Sequence, residues 1–228
     1  VNDILYAEDG REYIDLHTGF GAVILGHSNP NIVPVLADQV NKIWTTGRQA
    51  SRVVKDAQEA LQNFLPPGLV PTVFGSSGLE AAEFALRISS VITGRSSFIG
   101  FSNSMHGKSV ATIALSWPNQ FDNMPGFHRL SFLPEINEQE ILGKLEEVLQ
   151  TESIAGVFIE PILGSSGGYS ASTAFYQEVV ALCRRFGALS IFDEILTGYY
   201  RTGSRFCSEY LEVTPDILLS GKAVGNGF

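Results

Sequence analysis

The segments that could do chemistry each follow or open an apolar run. Gly75-Ser76-Ser77-Gly78-Leu79-Glu80 opens a stretch of helical periodicity, with Ser77 and Glu80 at capping-box spacing. Free backbone N–H groups at Gly78 and Leu79, among small residues, would cradle a phosphate; an ordinary capped helix is the plainer alternative. Ser104-Met105-His106-Gly107-Lys108 sets a histidine against a glycine, a pattern open to a structural or a catalytic role. Glu160-Pro161-Ile162-Leu163 leads into Gly164-Ser165-Ser166-Gly167-Gly168, which holds the Gly-x-Ser-x-Gly pattern of a hydrolase nucleophile. That chemistry needs a histidine downstream of the serine. His17, His27, His106 and His128 all precede Ser166, so the segment reads as a Gly-rich loop. Asp193-Glu194 closes a buried apolar run, where a carboxylate is costly unless it meets a cation or a donor. Asp193 is then either half of a structural ion pair or the partner of a protonated ring nitrogen. Ser220-Gly221-Lys222-Ala223 fails the P-loop pattern twice, at Asp216 and at Ala223, which leaves Lys222 as an amine nucleophile.

The elements that position these segments alternate. Ile4–Ala7 and Glu12–Leu16 read as a hairpin about Asp9-Gly10, for which a primed turn is expected. Helices are expected over 31–44 and 54–64, the second stopped by Pro66-Pro67-Gly68. Then follow strand 72–74, helix 79–91, strand 97–101, helix 138–150, strand 156–160, helix 175–186, strand 189–193 and strand 216–220. Short continuous apolar strands between helices predict an α/β fold with a mostly parallel sheet covered on both faces. Ligands of such sheets bind at the carboxyl ends of the strands, where every segment above lies. An anion cradle, a buried aspartate and a lysine at one sheet edge are the parts pyridoxal phosphate needs: donors for its phosphate, a carboxylate for its ring nitrogen, an amine for its aldehyde.

Composition narrows the alternatives. Of 228 residues 44% are hydrophobic and 17% charged, enough for a large core, and the formal charge of -9 disfavours a nucleic-acid partner. No apolar run approaches the length of a membrane span. Cys183 and Cys207 show no metal spacing, so no metal site is expected, and their scarcity fits a reducing, cytoplasmic compartment. The start, Val1-Asn2-Asp3, has no signal core and no initiator Met, which suggests a fragment or a processed chain.

With these residues in view, the chain resembles the class III (ω-type, ornithine/acetylornithine-like) aminotransferases of PLP fold type I, over nearly its whole length. The resemblance is carried by Gly26-His27-Ser28-Asn29-Pro30, by Ser76 to Glu83, by His106-Gly107-Lys108, by Ile191 to Gly198 with Arg201-Thr202-Gly203, and by Thr214-Pro215-Asp216 with Gly221 to Phe228. It implies an N-terminal arm (1–30) and a three-layer PLP-binding large domain (31–228), incomplete at its C-terminus and without the small domain. It implies Lys222 as the Schiff-base lysine and Asp193 as the partner of the ring nitrogen, with Met105 and Ile195 packed on the ring and His106 beside it. Ser77, Gly78 and Leu79 would hold the phosphate, and Lys108 and Phe20 would face the substrate. Implied too are transfer of an amino group from an amine donor to a 2-oxo acid, and a homodimer in the full-length protein. Aminomutase or decarboxylase chemistry on the same scaffold, or a non-catalytic remnant, are the rival readings. Met105 stands where the family usually has an aromatic residue, and Leu163 and Leu196 where many members have Gln. Tyr200 replaces a Gly, and Lys108 an Arg. The family continues past Lys222 with the rest of the large domain and the small domain, so this chain alone is expected not to transaminate.

Overall fold

A computed structural model describes residues 3–47, 49–132, 134 and 136–228. The outermost residues of the start, Val1 and Asn2, lie outside them. The chain forms two compact units, residues 1–65 with 222–228, and residues 66–221. The arm boundary expected at residue 30 falls inside the first.

In the first unit β1 (Ile4–Tyr6) pairs antiparallel with β2 (Glu12–Ile14). The turn is not the primed one expected. Gly10 N–H donates to Ala7 O at 2.9 Å, Ala7 N–H to Arg11 O at 2.9 Å, and Gly10 takes φ 84. The left-handed residue is thus only the glycine, which closes a longer loop; a primed Asp-Gly turn would require Asp9 to share that conformation. A short segment α1 (Thr18–Gly21) and helices α2 (Val33–Lys42) and α3 (Arg52–Phe64) follow. Lys222 to Val224 form a 3₁₀ turn. Asn226 ties that segment back: its Oδ1 accepts Leu25 N–H at 2.8 Å and its Nδ2 donates to Gly26 O at 3.3 Å.

The second unit is the α/β layer structure the sequence predicts. Its sheet has the order β4-β3-β5-β6-β7, from β3 (Ser97–Phe101), β4 (Phe127–Leu130), β5 (Ile154–Ile159), β6 (Leu189–Asp193) and β7 (Ile217–Leu219). All neighbouring pairs are parallel. Helices α4 (Gly78–Thr93) and α5 (Val110–Ala114) pack on one face around Ala82, Phe98, Phe158 and Ile191. On the other face α6 (Glu138–Thr151) and α7 (Thr173–Phe186) close over Phe101, Val157, Tyr176 and Phe192. A last short helix, α8, spans Cys207–Tyr210.

Local chemistry sets the helix ends. Ser77, Asn137 and Ser172 cap α4, α6 and α7 by accepting the N–H three residues on, and Gly94 and Gly187 end α4 and α7 in the left-handed conformation. The strand expected at 72–74 does not form. Val73 and Phe74 are exposed and no ladder partner lies beside them among the described residues, and a strand without a neighbour has nothing to pair its backbone. In β3 Gly100 is hemmed in by Leu115, whose carbonyl oxygen a methyl group would overlap. Gly100→Ala should therefore cost about 1–3 kcal/mol, visible as a lower thermal midpoint with unchanged secondary structure at low temperature.

Candidate active site

The carboxyl ends of β3, β5 and β6 converge on a buried cluster of ionisable groups. Asp193, the last residue of β6, is 3% exposed, and His106, on the loop after β3, is 1% exposed. His106 Nδ1 lies 2.8 Å from Asp193 Oδ2, and Ile195 N–H donates to Asp193 Oδ1 at 3.1 Å. An aspartate that accepts at Nδ1 fixes the tautomer with the proton there, which leaves Nε2 as a buried atom without a hydrogen-bond partner among the described residues. The His106 ring packs against Phe158, with centroids 5.3 Å apart. Glu160, directly after β5, is also buried, and burial pushes its carboxyl up to about 7, against the pull of His106 and with the push of Asp193.

Ile195 connects this cluster to the start of α4. Its side chain lies so close to Gly78 that a Cβ there would sit 2.7 Å from Ile195 Cδ1. The same side chain packs on Gly221, the residue before Lys222, at 3.1 Å from a built Cβ. Glycine at 78 is thus a packing requirement, and it leaves the first N–H groups of α4 uncovered. Those of Gly78 and Leu79 precede the first intrahelical bonds and point out of a sixteen-residue helix. The expected capping box is displaced by one residue. Ser77 Oγ accepts Glu80 N–H at 3.2 Å, but the Glu80 carboxylate reaches Ser76 N–H rather than that of Ser77.

The structure therefore brings Ser77, Gly78, Leu79, Met105, His106, Asp193 and Ile195 to one end of one sheet. Lys108 is exposed on the loop between His106 and α5. Lys222 and Phe20 belong to the first unit. Lys222 there adopts φ 47, a left-handed conformation uncommon for a side chain of its size, and Phe20 is 78% exposed with its ring edge on His17. Ser166 is spent on structure: its Oγ donates to Asn103 O at 2.7 Å and joins the Gly-rich loop to the β3 loop. No cluster of metal-ligating side chains occurs among the described residues.

Sequence reasoning gave Glu194 no role of its own. It is fully buried and points away from Asp193, accepting Thr197 Oγ1–H at 3.0 Å, Ser208 N–H at 2.8 Å and Cys207 N–H. Burial holds its pKa above the usual carboxylate range. It anchors the loop after β6 to α8. Glu194→Ala would orphan all these donors at a cost of about 3 kcal/mol or more, so thermal denaturation should show a loss larger than for any exposed carboxylate.

The family description Aminotransferase class-III matches residues 1–228, and the chain belongs to that family. It is 35% identical over 224 residues to the LysW-aminoadipate semialdehyde/glutamate semialdehyde transaminase of Sulfolobus acidocaldarius, covering 96% of this chain and 56% of that protein. It is 33% identical to the 5-aminovalerate aminotransferase DavT of Pseudomonas aeruginosa, covering all of this chain and 57% of the relative. Among solved structures, ornithine aminotransferase from Toxoplasma gondii superposes with TM-score 0.88 at 28% identity over 99% of this chain and 55% of that one. Taurine:2-oxoglutarate aminotransferase from Bifidobacterium kashiwanohense, solved in complex with PLP and glutamate, gives 0.89 at 25% identity over all of this chain and 56% of that one. The chain thus spans a little over half the length of the relatives it matches.

Proposed function

We propose that the protein carrying this chain is a pyridoxal-phosphate-dependent aminotransferase. It would move an amino group from a terminal (ω) amine or acetylornithine-like donor to a 2-oxo acid. The observation that carries this reading is Asp193: a buried carboxylate at a strand end, oriented by His106 and by Ile195 N–H, and joined through Ile195 to a helix N-terminus with free donors. A cationic ring N–H fits the first and a phosphate fits the second, at opposite ends of one planar group.

When bound, the cofactor would supply an electron sink for the carbanion formed at the substrate carbon. The chain's own residues do the rest. Asp193, its carboxylate fixed by His106, would keep the cofactor's ring nitrogen protonated, and the N–H groups of Gly78 and Leu79 with the Ser77 hydroxyl would hold its phosphate. Lys222 would hold the cofactor through its amine, and the same Nζ would move a proton at the substrate carbon. Met105 and Ile195 would pack against the cofactor ring, and Lys108 and Phe20 would face the substrate.

A homodimer is part of the proposal. No residue of α2 or α3 is buried, and Val35, Val40, Trp44, Val53 and Val54 stand exposed in their unit. A cytoplasmic location fits the free, buried Cys183 and Cys207, whose thiols burial pushes up to about 12 and about 11. No helix among the described residues is long and apolar enough to cross a membrane. The test is to assay amine donors against pyruvate and 2-oxoglutarate with the protein loaded with pyridoxal phosphate. Turnover with none of them, with the cofactor bound, would exclude the aminotransferase reading.

A further inference from the structure

Leu79 and Glu83 lie four residues apart on α4 and so share one face of it. Both meet the loop that follows His106. Leu79 packs on Gly107 so closely that a Cβ there would overlap Leu79 Cδ1, and Gly107 adopts φ 133. The half-buried Glu83 carboxyl accepts the Ser109 hydroxyl proton. Ser109 caps α5, and its Oγ accepts Thr112 N–H at 3.1 Å. Thr112 is fully buried, with its Oγ1 2.9 Å from Ser109 Oγ. Since the one hydroxyl proton of Ser109 goes to Glu83, Thr112 is the donor in that contact. The other end of the same loop is fastened to the sheet. Glu160, after β5, accepts Met105 N–H and, at 3.3 Å, Gly164 N–H, while His106 Nδ1 meets Asp193 at 2.8 Å. Residues 105–109 therefore form a strut between the sheet end and α4.

We propose that Glu83 is a positioning residue, tying this strut to α4 and thereby setting the distance between the phosphate donors of Gly78 and Leu79 and the ring-nitrogen partner Asp193. The inference rests on the functional reading given above, and it says how the two ends of that site keep their separation. A rigid planar ligand held at two points gains from the second only when the spacing fits. Ile195 keys Gly78 to the β6 loop, and Gly107 keys Leu79 to the His106 loop. Those are apolar contacts, which resist compression but do not fix a direction. The Glu83–Ser109 hydrogen bond is directional and supplies the tie. Without it Met105 and His106 keep their partners on the sheet, so the ring end stays built. What is lost is the register of α4 against it.

Ligand binding to the full-length protein, freed of cofactor, tests this without turnover. Glu83→Ala should weaken pyridoxal phosphate binding about tenfold. Inorganic phosphate and pyridoxal each engage one end only, and both should bind within about twofold of the wild type. Glu83→Gln keeps an oxygen for the Ser109 hydroxyl and should restore pyridoxal phosphate affinity to within about threefold. Ser109→Ala breaks the same contact from the other side and should repeat the pattern, so it decides if Glu83→Ala does not fold. In the ligand-free protein, amide exchange at Ser109 should quicken about tenfold in Glu83→Ala while that at Met105 holds. Unchanged pyridoxal phosphate affinity in Glu83→Ala, even with a lower thermal midpoint, leaves Glu83 a structural residue and overturns the proposal. So does an equal loss for all three ligands. If the wild type binds no pyridoxal phosphate, the functional reading falls, and unaltered exchange at Ser109 in Glu83→Ala overturns the tie by itself.

Discussion

Lys222→Ala should eliminate the proposed transamination, lowering turnover by about 10⁴-fold or more, because that proposal gives one amine both the anchoring of the cofactor and the movement of the proton. The fold should survive. The turn that carries Lys222 is held by Asn226 through Leu25 and Gly26, contacts that do not involve the lysine side chain. The backbone at Lys222 is already in a sparsely populated region, at φ 47, a conformation costing on the order of 1–3 kcal/mol that persists only where the surrounding structure holds it. Borohydride reduction of the loaded protein followed by peptide mapping should place the pyridoxyl label on the peptide containing Lys222. A label on Lys42, Lys55, Lys108 or Lys144 instead would remove Lys222 from the role.

Asp193→Asn should lower turnover by about 10²–10³-fold while shifting thermal stability little. The amide keeps the shape and still accepts Ile195 N–H, but it cannot hold a ring nitrogen in its protonated form. The expected signature is a fall in kcat with the secondary structure unchanged. Near-native turnover would make the His106–Asp193 pair a structural feature of the sheet end and nothing more.

Much of the second unit was legible because its central strands are almost wholly apolar. Strands β3 and β6 lie at the expected residues, and β5 and β7 within two of them, since a strand buried on both faces cannot afford polar positions. The edges were not legible. Phe127-His128-Arg129-Leu130 forms β4 although every residue in it is half-buried, so it lacks the apolar run that betrays an interior strand. Val73 and Phe74 show the reverse error, since β-forming residues without a neighbouring strand stay unpaired. The five-residue helix α5 is too short for helical periodicity to register; its signal is the Ser109 and Thr112 box that caps it.

Within the site, Asp193 and Gly78 could be read from their positions at element ends. The partnership of His106 with Asp193 could not, because it joins a loop to a strand end 87 residues apart in sequence. Glu160 carried the same signal as Asp193, a carboxylate closing an apolar strand, but a following Pro and a Gly-rich loop drew attention to the serine instead. What distinguishes Glu160 is its pair of backbone donors, and only the folded chain brings those together.

Arg95 lies at the other end of the sheet, ahead of β3. Its Nη1 reaches the carbonyl oxygens of Ile154, Phe186 and Gly187 at 2.9–3.0 Å, bracing the entries to β5 and β6. The ionisable groups of the proposed reaction sit at the exits of those same strands. Inherited variation in such a protein should accordingly fall into two populations with different phenotypes. Changes at the Arg95 end should alter how much folded protein a cell retains, with the specific activity of the survivors untouched. Changes at the exits can retune the chemistry while abundance holds, which leaves a lineage free to explore new amines without first rebuilding its foundation.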